Sequence, residues 1–145
     1  MIVPARFTIP GEPQGKARAR TVRNGAFTRT YTPEKTAAYE NLVRIEYERQ
    51  CEGANFADNS LRVSIRASYG VPKSTGKGKR GLMLTGFLYP SRKPDCDNIA
   101  KVVCDALNGL AYRDDAQIAK LDVLKQYAEI PGVTVEIWPL GSKED

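Results

Sequence analysis

Residues 97–108, Asp-Asn-Ile-Ala-Lys-Val-Val-Cys-Asp-Ala-Leu-Asn, carry the most regular helical pattern of the chain. The apolar members of this stretch recur at three- and four-residue steps and so share one face of a helix, and Gly109 is a natural stop. They are Ile99, Val102, Val103, Ala106 and Leu107. Asp97, Lys101 and Asp105 share another face, because they are spaced four residues apart. The stretch therefore predicts a helix that packs on a core and presents charged groups to solvent.

Several segments outside this helix have the pattern of strands. Residues 61–69 alternate apolar and polar side chains, as a strand with one buried face does, and residues 2–9 are rich in β-forming residues. Residues 119–125 and 133–137 also alternate, and a Pro-Gly pair lies between them. That spacing predicts a hairpin near the end of the chain.

The rest of the chain predicts a second helix and two loops. Thr32-Pro33 is typical of a helix start, with Thr as N-cap and Pro at the first helical position. The helix is expected to run to about Cys51, with Ala38, Leu42 and Ile45 on its apolar side. Two further segments are rich in glycine and basic residues. We expect a loop or short hairpin around Asn24-Gly25 over residues 11–31. Residues 70–92 are expected to form a mobile loop rather than a linker between domains, and within it Lys77 to Leu84 could form a short helix, although the glycines weaken that pattern.

These elements predict one α+β domain over residues 1–145, in which two main helices pack on a mixed or antiparallel sheet. A chain of 145 residues is long enough to bury a core of its own. No apolar run approaches the ~20 residues needed to span a bilayer, and the first residues do not resemble a signal peptide. We therefore expect no membrane partner and a cytoplasmic location.

The composition excludes several kinds of active site. The chain has no histidine, so a Ser-His-Asp or Cys-His arrangement is excluded. Its three cysteines, Cys51, Cys96 and Cys104, lack the C-x-x-C spacing of a zinc site, and Cys104 falls in the apolar helical pattern of a core residue. Any catalytic base must be a carboxylate, a lysine or a metal-bound hydroxide.

Charge is unevenly distributed along the chain, whose net charge is +5. Residues 14–30 and 73–93 are basic and contain no acid, and both precede the acidic part of the sequence. Such runs are usually solvated loops. Their alternative interpretation is that they contact the phosphates of a nucleic acid.

Five carboxylates lie within about twenty residues of one another. Clustered carboxylates repel, so a fold that gathers them usually does so around a cation, and Mg²⁺ prefers oxygen ligands. A carboxylate-bound metal in a basic protein suggests catalysis on a phosphate backbone. The five are Asp95, Asp97, Asp105, Asp114 and Asp115.

The same carboxylates also have ordinary structural explanations. Asp97 suits a helix N-cap, and ion pairs from Lys101 to Asp97 and Asp105 would contribute about 0.3–0.5 kcal/mol each. Asp114 and Asp115 suit a polar turn. The D-x-D pair also occurs in metal-dependent sugar transferases and phosphatases. Spacing alone leaves these alternatives open.

The acidic segment closely resembles the motifs of the RusA family of Holliday junction resolvases. The resemblance rests on Lys93-Pro-Asp-Cys-Asp-Asn-Ile-Ala-Lys-Val-Val-Cys-Asp-Ala-Leu-Asn-Gly109 and on Tyr112-Arg-Asp-Asp-Ala-Gln-Ile118. The start, Phe7-Thr-Ile-Pro-Gly-Glu-Pro-Gln-Gly-Lys16, and Tyr31-Thr-Pro also look like the branch found in Gram-positive bacteria and their phages. The resemblance implies a RusA-like fold and a small homodimeric, Mg²⁺-dependent endonuclease, often carried by prophages. Such an enzyme would nick four-way DNA junctions symmetrically in recombination and repair, and Mn²⁺ could replace Mg²⁺.

The resemblance also implies roles for individual residues. The positions that match the family's metal ligands are Asp95, Asp97 and Asp115, and its essential lysine matches Lys101. The supporting positions are Asn98, Asp105, Asp114 and Gln117, and Asp105 could position Lys101 through a hydrogen bond.

Candidate DNA contacts follow from charge and position rather than from the resemblance. They are Lys16, Arg18, Arg20, Lys77, Lys79, Arg80, Arg92 and Lys93. An alternative function is a junction- or duplex-binding protein without catalysis. That alternative explains the basic segments, but it does not explain a carboxylate cluster beside a phosphate-binding surface. A nucleotide-sugar transferase is a third possibility, but no segment resembles a nucleoside-binding site.

Overall fold

The computed structural model of the chain describes residues 3–17, 20–31 and 33–142, in which three helices, six strands and one short 3₁₀ turn follow one another. The helices are α1 (Glu34–Cys51), α2 (Lys77–Leu84) and α3 (Cys96–Leu107), and the 3₁₀ turn is Asp115–Gln117. The strands are β1 (Ala5–Pro10), β2 (Arg20–Asn24), β3 (Phe27–Tyr31), β4 (Asn59–Gly70), β5 (Ile118–Ala128) and β6 (Gly132–Ser142).

Four strands form the main sheet, in the order β1-β6-β4-β5. β6 is antiparallel to both β1 and β4, whereas β4 and β5 are parallel, so the sheet is mixed. A parallel pair needs a crossover connection, and here the crossover contains α2 and α3. The prediction of one α+β domain with a mixed sheet is confirmed.

The predicted hairpin of the last two strands is wrong. β5 and β6 are consecutive in sequence, yet they lie on opposite sides of β4 and do not pair with each other. Alternation in a sequence reports which face of a strand is buried, but it does not identify the neighbouring strand. In the structure, β4 pairs with each of these strands along most of its length.

The core lies between the helices and one face of the sheet. From β4, Leu61, Val63 and Ile65 are buried, and the whole predicted apolar stripe of α3 is fully buried beside them. Cys104 is also buried, as its place in the helical pattern predicted. Burial of α3 against the sheet fixes the opposite, charged side of the helix at the surface.

α1 is present, but its buried face differs from the prediction. Ala38 and Ile45 are exposed, and Leu42 is only partly buried. The residues that face the core are Thr36, Tyr39, Glu40, Val43 and Tyr47. The helical pattern was misread because tyrosine, threonine and a paired glutamate occupy most of the buried positions. The helix begins at Glu34 with Pro33 as its N-cap, so Pro33 is not the first helical residue, and the predicted N-cap Thr32 lies outside the described residues.

Both glycine-rich segments contain regular secondary structure. β2 and β3 form the expected hairpin, and Gly25 has the positive φ of 63° that its turn requires. Within residues 70–92, α2 forms over Lys77–Leu84, the stretch for which the sequence allowed a short helix. Met83 is buried, and an ion pair of 3.9 Å joins Arg80 to Glu129 beyond β5. These tertiary contacts outweigh the low helix propensity of glycine.

In the described part of the chain, no helix is long and apolar enough to cross a membrane.

Candidate active site

The charged side of α3 forms one wall of an open cleft of about 360 Å³. Asp97, Lys101 and Asp105 line it at successive turns of the helix, and Asp115 reaches it from the turn before β5. Apolar side chains complete the lining, namely Ala100, Cys104, Ile118 and Leu121. The fold therefore brings together three of the predicted carboxylates and the predicted lysine.

Asp105 is the centre of an ion-pair network in this cleft. Its Oδ2 atom lies 3.4 Å from Lys101 Nζ and 3.1 Å from Lys16 Nζ. Asp105 is the less exposed partner of Lys101, with side-chain exposures of 22% and 62%. A half-buried carboxylate thus holds a solvent-facing ammonium group at the mouth of the cleft.

Lys16 connects the two main helices. Its Nζ contacts Glu40 Oε2 of α1 as well as Asp105 of α3, and both distances are 3.1 Å. Burial by itself would lower the pKa of Lys16, but hydrogen bonds to Asp105 and Glu40 outweigh it and raise the pKa. The ammonium group predicted to contact DNA is therefore engaged within the protein.

A short turn presents Asp115 to the cleft. The Asp114 side chain accepts a hydrogen bond from the Ala116 N–H, and the Asp115 N–H donates to Asn108 Oδ1 at 2.9 Å. Gln117 anchors the turn to the chain before β4. Its Oε1 accepts from the N–H groups of Arg113 and Asp114, and its Nε2 donates to the carbonyls of Phe56, Ala57 and Asn59.

The two aspartates of this turn respond oppositely to their surroundings. The pKa of Asp114 is lowered mainly by the hydrogen bond that its carboxylate accepts from the Ala116 N–H. A hydrogen bond with the Asp115 side chain lowers it further. The pKa of Asp115 is raised, first by that shared hydrogen bond with Asp114, then by burial and by the charges of Asp114 and Asp105. Asp115 thus lies in a field of excess negative charge, which a cation would relieve.

Asp95 lies apart from this group. It is the N-cap residue of α3, and its carboxylate is 2.9 Å from Lys93 Nζ in an exposed ion pair. Tyr69 of β4 fixes the preceding backbone, since its hydroxyl donates to the carbonyl of Pro94 at 3.0 Å. Of the three predicted metal ligands, Asp97 and Asp115 share the cleft, whereas Asp95 is held by Lys93.

The oxygen donors of the cleft suit Mg²⁺ rather than a metal held wholly by protein side chains. Among residues 3–17, 20–31 and 33–142, no three His, Cys, Asp or Glu side chains are grouped closely enough to hold a metal ion. Mg²⁺ does not require such a cage, because it keeps several waters and commonly takes one or two carboxylates together with substrate phosphates. The carboxylate oxygens of Asp97 and Asp115, which line the same cleft, fit that chemistry.

Comparison with known proteins shows the family. The sequence model of the family "Endodeoxyribonuclease RusA" matches residues 10–138. This chain belongs to the RusA endodeoxyribonuclease family. It is also 35% identical over 135 residues to "Uncharacterized protein YqaN" of Bacillus subtilis (strain 168), an alignment that covers 91% of this chain and 94% of that protein. The family predicted from the acidic motifs is confirmed.

The predicted DNA contacts of this RusA-family chain fall into different environments. Lys77 and Lys79 are exposed on α2, while Arg92 contacts Glu12 at 3.5 Å and lies over the Tyr69 ring at 5.1 Å. Arg80 pairs with Glu129. Arg18 lies outside the described residues, and Arg20 is described only as the first position of β2.

Lys93 and Lys16 line a second cavity of about 440 Å³ beside the start of α3. Asn98, one of the predicted supporting residues, lines this second cavity and not the cleft. Lys35, from the first turn of α1, also lines it. The cavity therefore combines three lysines at a point where the two main helices begin.

Sequence reasoning missed three residues that build the RusA-family site. Glu40 holds Lys16, Asn108 holds the backbone of Asp115, and Tyr69 holds the loop before Asp95. Asn108 stands in the quoted motif, directly after the helical pattern, so its position was a usable signal. Glu40 and Tyr69 gave no signal, because their roles depend on contacts that are distant in sequence.

Proposed function

We propose that this protein is a Mg²⁺-dependent endodeoxyribonuclease that resolves four-way DNA junctions by paired, symmetric nicks. One observation carries the proposal: in a chain of the RusA endodeoxyribonuclease family, Asp97 and Asp115 converge with Lys101 in one open cleft. An open cleft suits a DNA backbone, because an internal segment of a polymer must bind from the side and cannot be threaded in from an end.

The metal proposal assigns Asp97 and Asp115 as carboxylate ligands of Mg²⁺ or Mn²⁺. The bound ion would supply a Lewis acid and a lowered pKa for water at the phosphodiester. Asp95 matches the third metal ligand of the family. Its carboxylate can bind the metal only after its ion pair with Lys93 has broken. Lys93 is 84% exposed, so this exchange breaks a solvent-screened ion pair.

Lys101 is proposed to act directly on the substrate. Its ammonium group is exposed at the cleft mouth and is oriented by Asp105 Oδ2 at 3.4 Å. A cation held in that position can stabilise negative charge that develops on a phosphate oxygen. Asp105 is then a positioning residue, because it acts through the lysine.

The proposed partners are four-way junction DNA and a second copy of the chain. A two-fold symmetric dimer places two equivalent clefts about one axis, which makes two nicks at symmetric positions the expected product. We place this activity in DNA recombination and repair in the cytoplasm.

The test of the proposed function compares DNA substrates. Purified protein is incubated with an end-labelled four-way junction and with a linear duplex of the same arm sequence, each with Mg²⁺, with Mn²⁺ and with EDTA. Paired nicks on the junction in the presence of metal support the proposal. Tight junction binding without cleavage in either metal would replace it with the non-catalytic binding protein, and equal cleavage of the duplex would remove the junction from the assignment.

A further inference from the structure

The hairpin of β2 and β3 stands outside the four-stranded sheet. Every side chain from Thr21 to Thr30 is exposed. These include Val22 and Phe27, whose exposed fractions are 46% and 80%. A two-stranded hairpin is marginally stable by itself. Exposed apolar residues on it indicate a surface that contacts a binding partner.

The register of the hairpin gives it two distinct faces. Val22 pairs with Arg29, and Asn24 pairs with Phe27, so these four residues share one face. The other face carries three threonines and Arg23, and the hydroxyls of Thr21 and Thr30 are 3.3 Å apart. Cationic, hydroxyl and aromatic groups therefore occur together on one ribbon.

The charge of the ribbon identifies its partner. Residues 20–31 contain no acid and three arginines. An acid-free surface with arginine on both faces complements a phosphate backbone, whereas a self-complementary protein interface would place like charges together.

The segment that precedes the ribbon in sequence lines the second cavity described above. The Ala17 N–H, three residues before β2, donates to Thr36 Oγ1 of α1, and both residues line that cavity with Lys35 and Lys93. The Lys16 N–H donates to the carbonyl of Asn98 at 3.3 Å, which ties the same segment to α3. The cavity with its three lysines therefore lies between the start of α3 and the segment that precedes the ribbon.

We propose that the ribbon β2–β3 is a duplex-binding arm that lies in a groove of DNA, with Arg23 and Arg29 on phosphates and Phe27 against the groove wall. The major groove of B-DNA is about 12 Å wide and admits a two-stranded ribbon. Strands of five residues extend about 17 Å, enough to follow the groove for several base pairs. This inference rests on the proposed function for its substrate and adds a site outside the cleft.

The experiment measures junction affinity as a function of salt, by fluorescence anisotropy in Ca²⁺ or EDTA so that cleavage does not interfere. Arg23→Ala/Arg29→Ala is compared with wild type and with Arg6→Ala/Arg66→Ala. The control pair has the same charge change at two exposed arginines on β1 and β4. We expect the ribbon variant to bind about 10-fold or more weakly, with a salt slope reduced by about 1.8, or about 0.9 for each lost phosphate contact. The control should keep the wild-type slope. Phe27→Ala should weaken binding without changing the slope.

The outcomes separate this inference from the proposed function. Wild-type protein that binds and cuts the junction, together with a ribbon variant of unchanged affinity and slope, overturns the arm while leaving the nuclease intact. Wild-type protein that does not bind the junction overturns both. Sedimentation velocity supplies the third readout: loss of self-association in the ribbon variant would make the ribbon a protein interface and overturn the inference.

Discussion

Lys16→Met tests whether the ion pairs that join α1 and α3 through Lys16 stabilise the fold around the cleft. Lys16 Nζ lies 3.1 Å from both Glu40 Oε2 and Asp105 Oδ2, and methionine keeps most of the apolar stem while removing the charge. After the substitution, two carboxylates with side-chain exposures of 11% and 22% face each other without their shared cation. The variant should therefore be destabilised by desolvation and by like-charge repulsion.

The magnitude follows from the burial of the three groups. Removing one partner of a fully buried ion pair costs about 3–5 kcal/mol, and an exposed pair contributes about 0–1 kcal/mol. Lys16 is 24% exposed, so solvent screens the network in part, and we expect a loss of about 2 kcal/mol. With a urea m-value of about 2 kcal/mol/M, the unfolding midpoint should fall by about 1 M.

The assay is urea unfolding at fixed protein concentration, followed by circular dichroism. The control is Lys93→Met, which removes an ammonium group from an ion pair that is 84% and 57% exposed and should cost less than about 1 kcal/mol. Adding Glu40→Gln to Lys16→Met should restore part of the loss, because one unpaired carboxylate is neutralised. A loss below about 0.5 kcal/mol in the single variant would refute the reasoning, since exposed pairs commonly contribute that little.

The pH dependence of the Lys16 effect has a defined sign. The folded state raises the pKa of Lys16, so its contribution to stability is fully present below the ordinary lysine value of about 10.4. That contribution is lost as the pH rises through the folded-state value. The stability difference between wild type and Lys16→Met should therefore be constant from pH 7 to 9 and shrink at more alkaline pH.

Three further predictions concern the supports of the site. Gly15→Ala should lower the free energy of unfolding in urea by about 1–3 kcal/mol, because a new Cβ would lie 2.8 Å from the Cβ of Pro94. Its control, Gly78→Ala in α2, should be neutral or stabilising, since a Cβ there would have open space around it. Gln117→Leu should cost about 2–4 kcal/mol in the same assay and slow cleavage, since its amide satisfies five hydrogen bonds around the Asp115 turn; wild-type stability would contradict this role. Burial raises the pKa of Tyr39 and Tyr69 to about 12, so the stability that their neutral forms provide should be lost as the pH rises from about 10 towards 12. Tyrosine absorbance at 295 nm and circular dichroism should then change together, and complete tyrosine ionisation near pH 10 with the fold intact would be inconsistent with that burial.

The predictable part of this fold is the part with strong local periodicity. The apolar stripe of α3 and the alternation of β4 each specify a buried face, and the structure buries both. Asp97, Lys101 and Asp105 were predicted to share a helix face because their spacing follows the helical repeat, and all three line the cleft. Features of this kind can be predicted from the repeat of a single helix or strand, without knowledge of its neighbours.

The unpredicted part depends on contacts that are distant in sequence. The insertion of β4 between β5 and β6 depends on pairings between strands that are distant in sequence. The sequence allowed α2 but could not decide it, because its glycines disfavour a helix and its contacts with β5 are distant in sequence. The buried face of α1 contains Glu40, which is acceptable there only because Lys16 pairs with it. The separation of Asp95 from Asp97 likewise depends on Lys93 and Tyr69, whose positions no spacing rule could supply.

The most direct test of the central claim is the single-turnover cleavage rate of Asp97→Asn on a four-way junction in Mg²⁺, measured beside junction affinity. The control is Glu48→Gln, the same loss of a carboxylate at an exposed position of α1. We predict that Asp97→Asn cleaves at least about 100-fold more slowly, binds the junction as tightly as wild type or more tightly, and keeps the wild-type fold by circular dichroism. A wild-type cleavage rate in Asp97→Asn would contradict the assignment of this cleft as the metal-dependent active site.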